Sequence, residues 1–544
     1  MARRLNPFHL LSQPPQLVAA LRLFWILAVL WLELGVYIYQ LRSCSWPDDA
    51  LVSAPPLIRA PTRAEASHIL VVADPQVLDH RSYPDRGAFL TAVSQYMTDM
   101  QLRKAWWATT RRLRPDSIVF LGDMMDGGRF DMSLDEYERY YARFKSIFRA
   151  DPSTTPVWYL PGNHDVGLGT STEFSPDALE RYKLHFGATN RKASVANHTL
   201  LLIDAPGLVD EDARRRRAGA SIDAWAASSS ETESTLAFVR AHADTGGPAV
   251  LFTHIPLFRP DDAGCGPLRE RGRIRAGSGL GYQNTLSAEL SAWLLARVRP
   301  EVVFSGDDHD YCEHAHPYAI PGSEEDGKTV REATVKSFSM AMGVRRPGFQ
   351  VLSLAPSSPA ADAACLLPDQ LGLYISGYAP LVGLSLALLL LFASVRRWTS
   401  KRIDEEDDEE EEEEEEGEGK AEVLPIAARG DPRWARYRGR GRPLRRVGDE
   451  RGLRLRLGGW SWDVRRRIAL ALAVPWSSSS SSSAAAATPS RRPRRGARCW
   501  TNVLAPRCRR RRRGRWVTEW ARDVVDVAGP ALGTFALVAV WTFL

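Results

Sequence analysis

Trp158-Tyr159-Leu160-Pro161-Gly162-Asn163-His164-Asp165 is the stretch on which the fold turns. An aromatic and aliphatic run stops at a Pro-Gly corner. An amide, an imidazole and a carboxylate then follow in direct succession. Four more segments in the first 310 residues have the same design: Val71-Val72-Ala73-Asp74-Pro75-Gln76, Val119-Phe120-Leu121-Gly122-Asp123, Leu251-Phe252-Thr253-His254 and Val303-Phe304-Ser305-Gly306-Asp307-Asp308-His309. Each reads as a buried strand that ends at Asp, Asn, Gln or His. Open α/β sheets collect their ligands at the carboxyl ends of strands, so the five segments can converge.

Between them the apolar pattern alternates between strand and helix periods. Strands are predicted at 68–74, 117–123, 156–160, 198–204, 248–254 and 301–306, with further strands at Glu332–Met340 and Phe349–Leu354. Helices are predicted near 96–113, 133–149, 173–186, 230–243 and 285–298, two of them opened by Ser133 and by Ser175-Pro176. This alternation argues for a layered α/β domain. Residues 209–229 and 259–283 lack periodicity and are read as loops, the second placed to cover the site.

The donor types suit a pair of metal ions. Two-metal hydrolases hold their ions about 3.5–4 Å apart across a shared carboxylate. Asp123, behind a glycine that permits a tight turn, is the natural bridge. Asp74 supplies a terminal carboxylate, Asn163 a neutral oxygen, and His254 and His309 supply imidazoles. His164 follows a ligand directly, which suits a general acid, with Asp165 next to it to orient the ring. Gln76 and Asp307 complete the set as oxygen donors, with a role in supporting the ligands as their alternative. Asp126 reads as a supporting residue or a helix cap, and His80, His314 and His316 as surface or pocket histidines.

These residues resemble the calcineurin-like metallophosphoesterase superfamily, whose pattern is Asp-x-His, Gly-Asp, Gly-Asn-His-Asp/Glu, a lone His and Gly-His-x-His. The chain departs from it twice: Gln76 and Asp307 stand where histidines are expected. The extra oxygen donors favour Mn²⁺ over metals that prefer softer ligands. Ala73-Asp74-Pro75-Gln76, Ser305–Glu313 and Val335–Gly343 are similar to the fungal membrane-bound branch that remodels glycosylphosphatidylinositol (GPI) anchors. That resemblance implies a layered β-sandwich flanked by helices and two divalent cations. Asp74, Asp123, His309 and Gln76 would hold one ion, and Asp123, Asn163, His254 and Asp307 the other. It further implies removal of an ethanolamine-phosphate branch from an anchor mannose, with GPI lipid or GPI-anchored protein as substrate. A general phosphoesterase or protein phosphatase of the same fold, and a catalytically silent metal-binding membrane protein, are the alternatives.

The rest of the chain places this domain at a membrane. Three apolar stretches, 23–41, 371–395 and 527–544, approach the roughly 20 residues that cross a bilayer as a helix. Glu33 interrupts the first, at a cost of about 2–3 kcal/mol if it stands alone. The first is read as an uncleaved signal anchor, since no small-x-small site follows it. The third has Glu519, Arg522 and Asp523 where a lipid-anchor signal needs a neutral spacer.

Arg3 and Arg4 before the first stretch, and Arg396, Arg397, Lys401 and Arg402 after the second, put the ends 1–22 and 396–523 in the cytosol. Residues 42–66 are then a linker and 67–370 a luminal domain, in the endoplasmic reticulum or early Golgi. The acceptor pattern Asn197-His198-Thr199 and four of the six cysteines (Cys44, Cys265, Cys312, Cys365) lie in this part, where disulfides can form. Three pairings are open. The net charge of +6 averages an acidic run at 404–416 against an arginine-rich stretch at Arg491–Arg515. With the serine and alanine runs at 477–487, these read as a disordered tail. A nucleic-acid partner is not expected of a chain anchored in this way.

Overall fold

A computed structural model describes residues 14–51, 66–169, 171–243, 247–319, 327–356, 358–418 and 515–544. The chain divides into two units, Met1–Trp398 with Gly514–Leu544, and Thr399–Arg513. The expected surface helix at 458–476 and the serine and alanine runs lie outside the described residues.

Two sheets form the heart of the first unit. One has the order β13-β12-β1-β2-β3, with β1 Ser67–Val72, β2 Ser117–Phe120, β3 Val157–Tyr159, β12 Gly348–Leu354 and β13 Ala361–Leu366. The other has the order β10-β11-β9-β6-β5-β4, with β4 Arg191–Val195, β5 His198–Leu202, β6 Ala249–Phe252, β9 Val302–Ser305, β10 Cys312–Tyr318 and β11 Lys328–Thr334. A small ribbon pairs β7 Ser278–Gly279 with β8 Tyr282–Gln283. Strands β1, β2 and β3 run parallel, as do β5, β6, β9 and β11, while β4, β10, β12 and β13 pair antiparallel with their neighbours.

Side chains alternate between the faces of a strand, and here both faces are apolar. Ile69, Val71, Val119, Leu200, Leu202, Val250, Phe252 and Phe304 pack between the two sheets. The intervening residues Leu70, Val72, Ile118 and Phe120 turn outward against helices. Leu201, Leu251 and Val303 do the same on the other sheet. The domain is therefore a helix–sheet–sheet–helix sandwich, as the family resemblance implied.

The helices are α1 Pro14–Leu30, α2 Ala88–Leu113, α3 Leu134–Ile147, α4 Asn163–Val166, α5 Ala178–Phe186, α6 Ala205–Arg217, α7 Ile222–Ser228, α8 Thr235–His242, α9 Ala288–Val298, α10 Ala379–Glu418 and α11 Arg515–Phe543. Helices α6 and α7 correct the expectation of a loop at 209–229. Asp204 caps α6 by accepting from the Gly207 N–H, and Ser221 caps α7 through the Ala224 N–H. Buried Glu211 accepts from the Ser234 hydroxyl and the Thr235 N–H. Segment 259–283 is irregular apart from β7 and β8, as expected.

Three helical stretches are long and apolar enough to cross a membrane: Gln16–Leu51, Gln370–Arg402 and Trp516–Phe543. They are longer than the sequence reading drew them, and the helix of the second continues through the acidic run to Glu418, where a disordered tail was expected. Glu33 is not alone. Its carboxylate meets Lys104 Nζ of α2 at 2.5 Å and the Tyr378 hydroxyl at 2.8 Å. The C-terminal end of α11 also touches the domain, where Trp541 lies against Trp107 and Phe543 stacks on Tyr96.

Residues 42–51 are not a free linker. Cys44 is bonded to Cys365, and Asp48 accepts from His68 at 2.9 Å. The second disulfide joins Cys265 to Cys312.

Candidate metal centre

All five polar segments arrive at one edge of the sandwich. Asp74, Asp123 and Asn163 follow the neighbouring strands β1, β2 and β3. His254 and Asp307 follow β6 and β9, which are neighbours in the other sheet. The carboxylates of Asp74 and Asp123 and the imidazole of His309 offer ligand atoms within 4.8 Å of one another.

The local backbone is strained to achieve this. Asp74, Gln76, Asp123, Asp307 and His309 all have positive φ, between 35° and 67°. Asp and His tolerate this region, but Gln rarely adopts it. Such strain concentrates at functional sites. Close approach explains two glycines. A Cβ on Gly162 would lie 2.0 Å from Asp123 Oδ1, and one on Gly122 2.6 Å from His254 Nδ1.

Hydrogen bonds set the directions of the donors. Gln76 Nε2 donates to Asp123 Oδ2 at 2.9 Å, and the His164 N–H donates to Asp123 Oδ1 at 2.8 Å. His254 Nδ1 lies 2.6 Å from the Leu121 carbonyl oxygen, which leaves Nε2 facing Asn163 Oδ1 at 3.0 Å and Asp307 Oδ1 at 3.5 Å. Asn163 Nδ2 donates to the Gly281 carbonyl at 2.8 Å, so its oxygen is the atom turned to the site. The tip of the 259–283 segment thus packs on the site, as its position in the sequence suggested.

Two buried oxygens, Asp74 Oδ2 and Gln76 Oε1, have no hydrogen-bond partner among the described residues. Such atoms are costly unless something charged or polar meets them. Burial pushes the Asp74 carboxyl well above its usual range, with Asp123 and Asp307 adding to this. For His254, burial pulls the ring down, but Asp123 and Asp307 outweigh it and hold it well above its ordinary value. Carboxylates crowded around orphaned oxygens and imidazole nitrogens are the donor set of a divalent-cation site, so these residues fit one.

His164 sits at the rim with its side chain partly exposed. Its Nδ1 lies 2.7 Å from the Asp126 carbonyl and 3.3 Å from the Asp126 carboxylate. Burial pulls the imidazole down, but Asp123 and the bonded Asp126 lift it to about 9. Asp165, expected to orient this ring, points elsewhere. Its oxygens accept from the Gly162 and Met125 N–H groups and stiffen the turn. The reason is geometric: both residues lie in the single turn of α4, and successive side chains on a helix diverge.

Arg129 escaped the sequence reading. Its guanidinium donates to the Gly281 carbonyl at 3.2 Å and lies between the Phe130 and Phe174 rings. Asp123, Asp126 and Asp307 all act on its charge. The Gly127-Gly128-Arg129 run just after Gly122-Asp123 was the available signal. By contrast, His80 pairs with Glu136 and His316 with Glu332.

This donor geometry on a two-sheet sandwich defines a metallophosphoesterase site. Residues 67–311 match the calcineurin-like phosphoesterase family, whose members use divalent metal ions. Among curated proteins the chain is similar to Cell division control protein 1 of Saccharomyces cerevisiae, with 33% identity over 350 residues. That match covers 61% of this chain and 65% of the yeast protein. Metallophosphoesterase 1 of Ailuropoda melanoleuca is 26% identical over 418 residues, covering 71% of this chain and 93% of the relative. The Metallophosphoesterase 1 homolog of Caenorhabditis elegans is 26% identical over 370 residues, covering 67% and 89%.

Proposed function

We propose that the protein is a metal-dependent phosphodiesterase that removes an ethanolamine-phosphate branch from a mannose of GPI anchors, on the luminal side of the endoplasmic reticulum or early Golgi membrane. One observation carries this reading. The Asp74–Asp123–His309 cluster, with His164 at its rim, belongs to a domain tied through Lys104 to a membrane-length helix. A substrate fixed in a bilayer suits an enzyme held in the same way.

Asp74, Asp123, Asn163, His254 and His309 would hold two divalent ions, with Gln76 and Asp307 as further oxygen donors. Bound there, the ions supply an activated water and neutralise phosphoryl charge. Manganese suits the oxygen-rich set. A water oxygen, having released one proton to solvent, forms the new bond to phosphorus as the bond from phosphorus to the mannose oxygen breaks. His164, held protonated by Asp126, gives its proton to that departing oxygen. Ethanolamine phosphate and the free mannose hydroxyl are the products.

The test is mass spectrometry of GPI glycans from cells with and without the protein, paired with turnover of GPI glycan and of a phosphopeptide by purified full-length protein with Mn²⁺. Glycans that gain an ethanolamine phosphate when the protein is missing support the reading. Unchanged glycans, with turnover of the phosphopeptide alone, overturn it.

A further inference from the structure

A cavity of about 420 Å³ lies among the three membrane-length helices, walled by Trp25, Met97, Tyr374, Leu389, Val527 and Phe535 among others. Its wall is almost wholly apolar. Apart from the Tyr374 hydroxyl, its polar groups are occupied with one another or with Glu33. Trp25 Nε1 donates to Ser385 Oγ at 3.0 Å, Ser385 Oγ donates to the Leu381 carbonyl at 2.8 Å, and the Tyr378 hydroxyl serves Glu33. A headgroup or a sugar would bring polar atoms that these walls cannot satisfy.

From Tyr374 to Leu389 the wall extends roughly 20 Å along the helix. Spread over that length, a volume of about 420 Å³ leaves room for an extended hydrocarbon chain.

The cavity also leads toward the catalytic domain. Met97, on its wall, belongs to α2. Phe89, Leu90 and Val93 lie one to two turns nearer the start of that helix and are exposed at 78%, 56% and 41%. They continue the stripe that contains Met97 at helical spacing. The start of α2 in turn follows the segment that carries Asp74 and Gln76.

We infer that this cavity seats one acyl chain of the lipid that carries the substrate, while the exposed stripe of α2 rests in the membrane interface. The inference builds on the proposed function, because it assigns the substrate's lipid to this place.

The experiment uses full-length protein in dioleoylphosphatidylcholine nanodiscs, wild type beside Ala528→Phe and Ala531→Phe, which fill the cavity. Three substrates are offered: a GPI glycolipid, the same glycan with its lipid cleaved away, and bis(p-nitrophenyl) phosphate. Filling the cavity is expected to raise KM for the glycolipid about tenfold and to leave the two lipid-free substrates unchanged. A diazirine-bearing acyl lipid is expected to label peptide 524–535 of the wild type and to lose that label in Ala528→Phe. Equal glycolipid KM in the filled variants, or no labelling of the wild-type peptide, overturns the inference. Failure of the wild type to turn over either glycan substrate is instead a failure of the proposed function, and the labelling result then decides the cavity alone. Thermal melting of each variant separates a filled cavity from a damaged fold, and Val382→Trp, from the opposite wall, repeats the test if one variant melts early.

Discussion

The Nδ1 atom of His164 rests 2.7 Å from the carbonyl and 3.3 Å from the carboxylate of Asp126. The two residues are separated by 38 positions and held together by the turns after β2 and β3. With Nδ1 engaged in this way, a protonated ring carries its second proton on Nε2. Asp126→Asn should therefore lower kcat by about 10–100-fold with little change in KM. The loss should shrink for bis(p-nitrophenyl) phosphate, whose leaving group needs no proton. Equal losses on both substrates would refute the acid role.

Stripping divalent ions should destabilise the domain. Asp74, Asp123 and Asp307 face one another at the site, and a cation relieves that repulsion. At a free-ion concentration about a hundredfold above Kd, the stabilisation is about 2.7 kcal/mol. Chelation should lower the melting temperature reversibly. Asp123→Asn should melt at nearly the same temperature with and without Mn²⁺.

Acid should act through Glu332, buried between Arg259 (2.6 Å) and His316 (2.7 Å). Burial raises its carboxyl, but Arg259 and His316 win and hold it at about 2 against an ordinary 4.5. A carboxyl depressed on folding stabilises above its unfolded value. That contribution fades as pH falls from about 4.5 to 2 and is worth about 3 kcal/mol at neutral pH. Glu332→Gln should be less stable at pH 7 and should show a flatter decline below pH 4.5 in denaturant melts. A decline as steep as wild type would place the acid sensitivity elsewhere.

The Glu33–Lys104 pair should behave as a buried unit. Lys104→Met leaves a carboxylate without its cation, at a cost of about 3–5 kcal/mol. Glu33→Gln combined with Lys104→Met should recover most of that loss. Thermal shifts of the full-length proteins measure both, and equal stability of the single and double variants would show that the charges are independent.

Asn197 gives the test of topology. Ala196 and Asn197 both have positive φ and form the two-residue turn between β4 and β5, with Asn197 exposed. A glycan can be added there without disturbing the sheet. Endoglycosidase should shift the mobility of the wild type and not of Asn197→Gln. A protein that never carries the glycan and is cut by protease from the cytosolic side would exclude the luminal orientation.

Strand ends and site donors were legible because the chemistry sits in short contiguous motifs after buried apolar runs. Asp74, Asp123, Asn163, His254 and His309 converge as their motifs suggested. Features that depend on distant partners were not legible. Nothing beside Glu33 announces Lys104, and nothing beside Cys44 announces Cys365. Helix α6 was not legible because much of its burial rests on polar residues such as Glu211 and Arg215, which contribute no apolar period, and α7 spans only seven residues with Ile222 and Ala226 buried, too short to show one. Asp165 was misassigned because adjacency in sequence was taken for adjacency of side chains.

The Cys44–Cys365 bond joins the domain-side end of the first membrane-length stretch to strand β13, just before the second. The domain therefore stands on two legs braced against each other where they leave the bundle. Under the proposed function, the height of the candidate site above the lipid would then decide which phosphodiesters reach it.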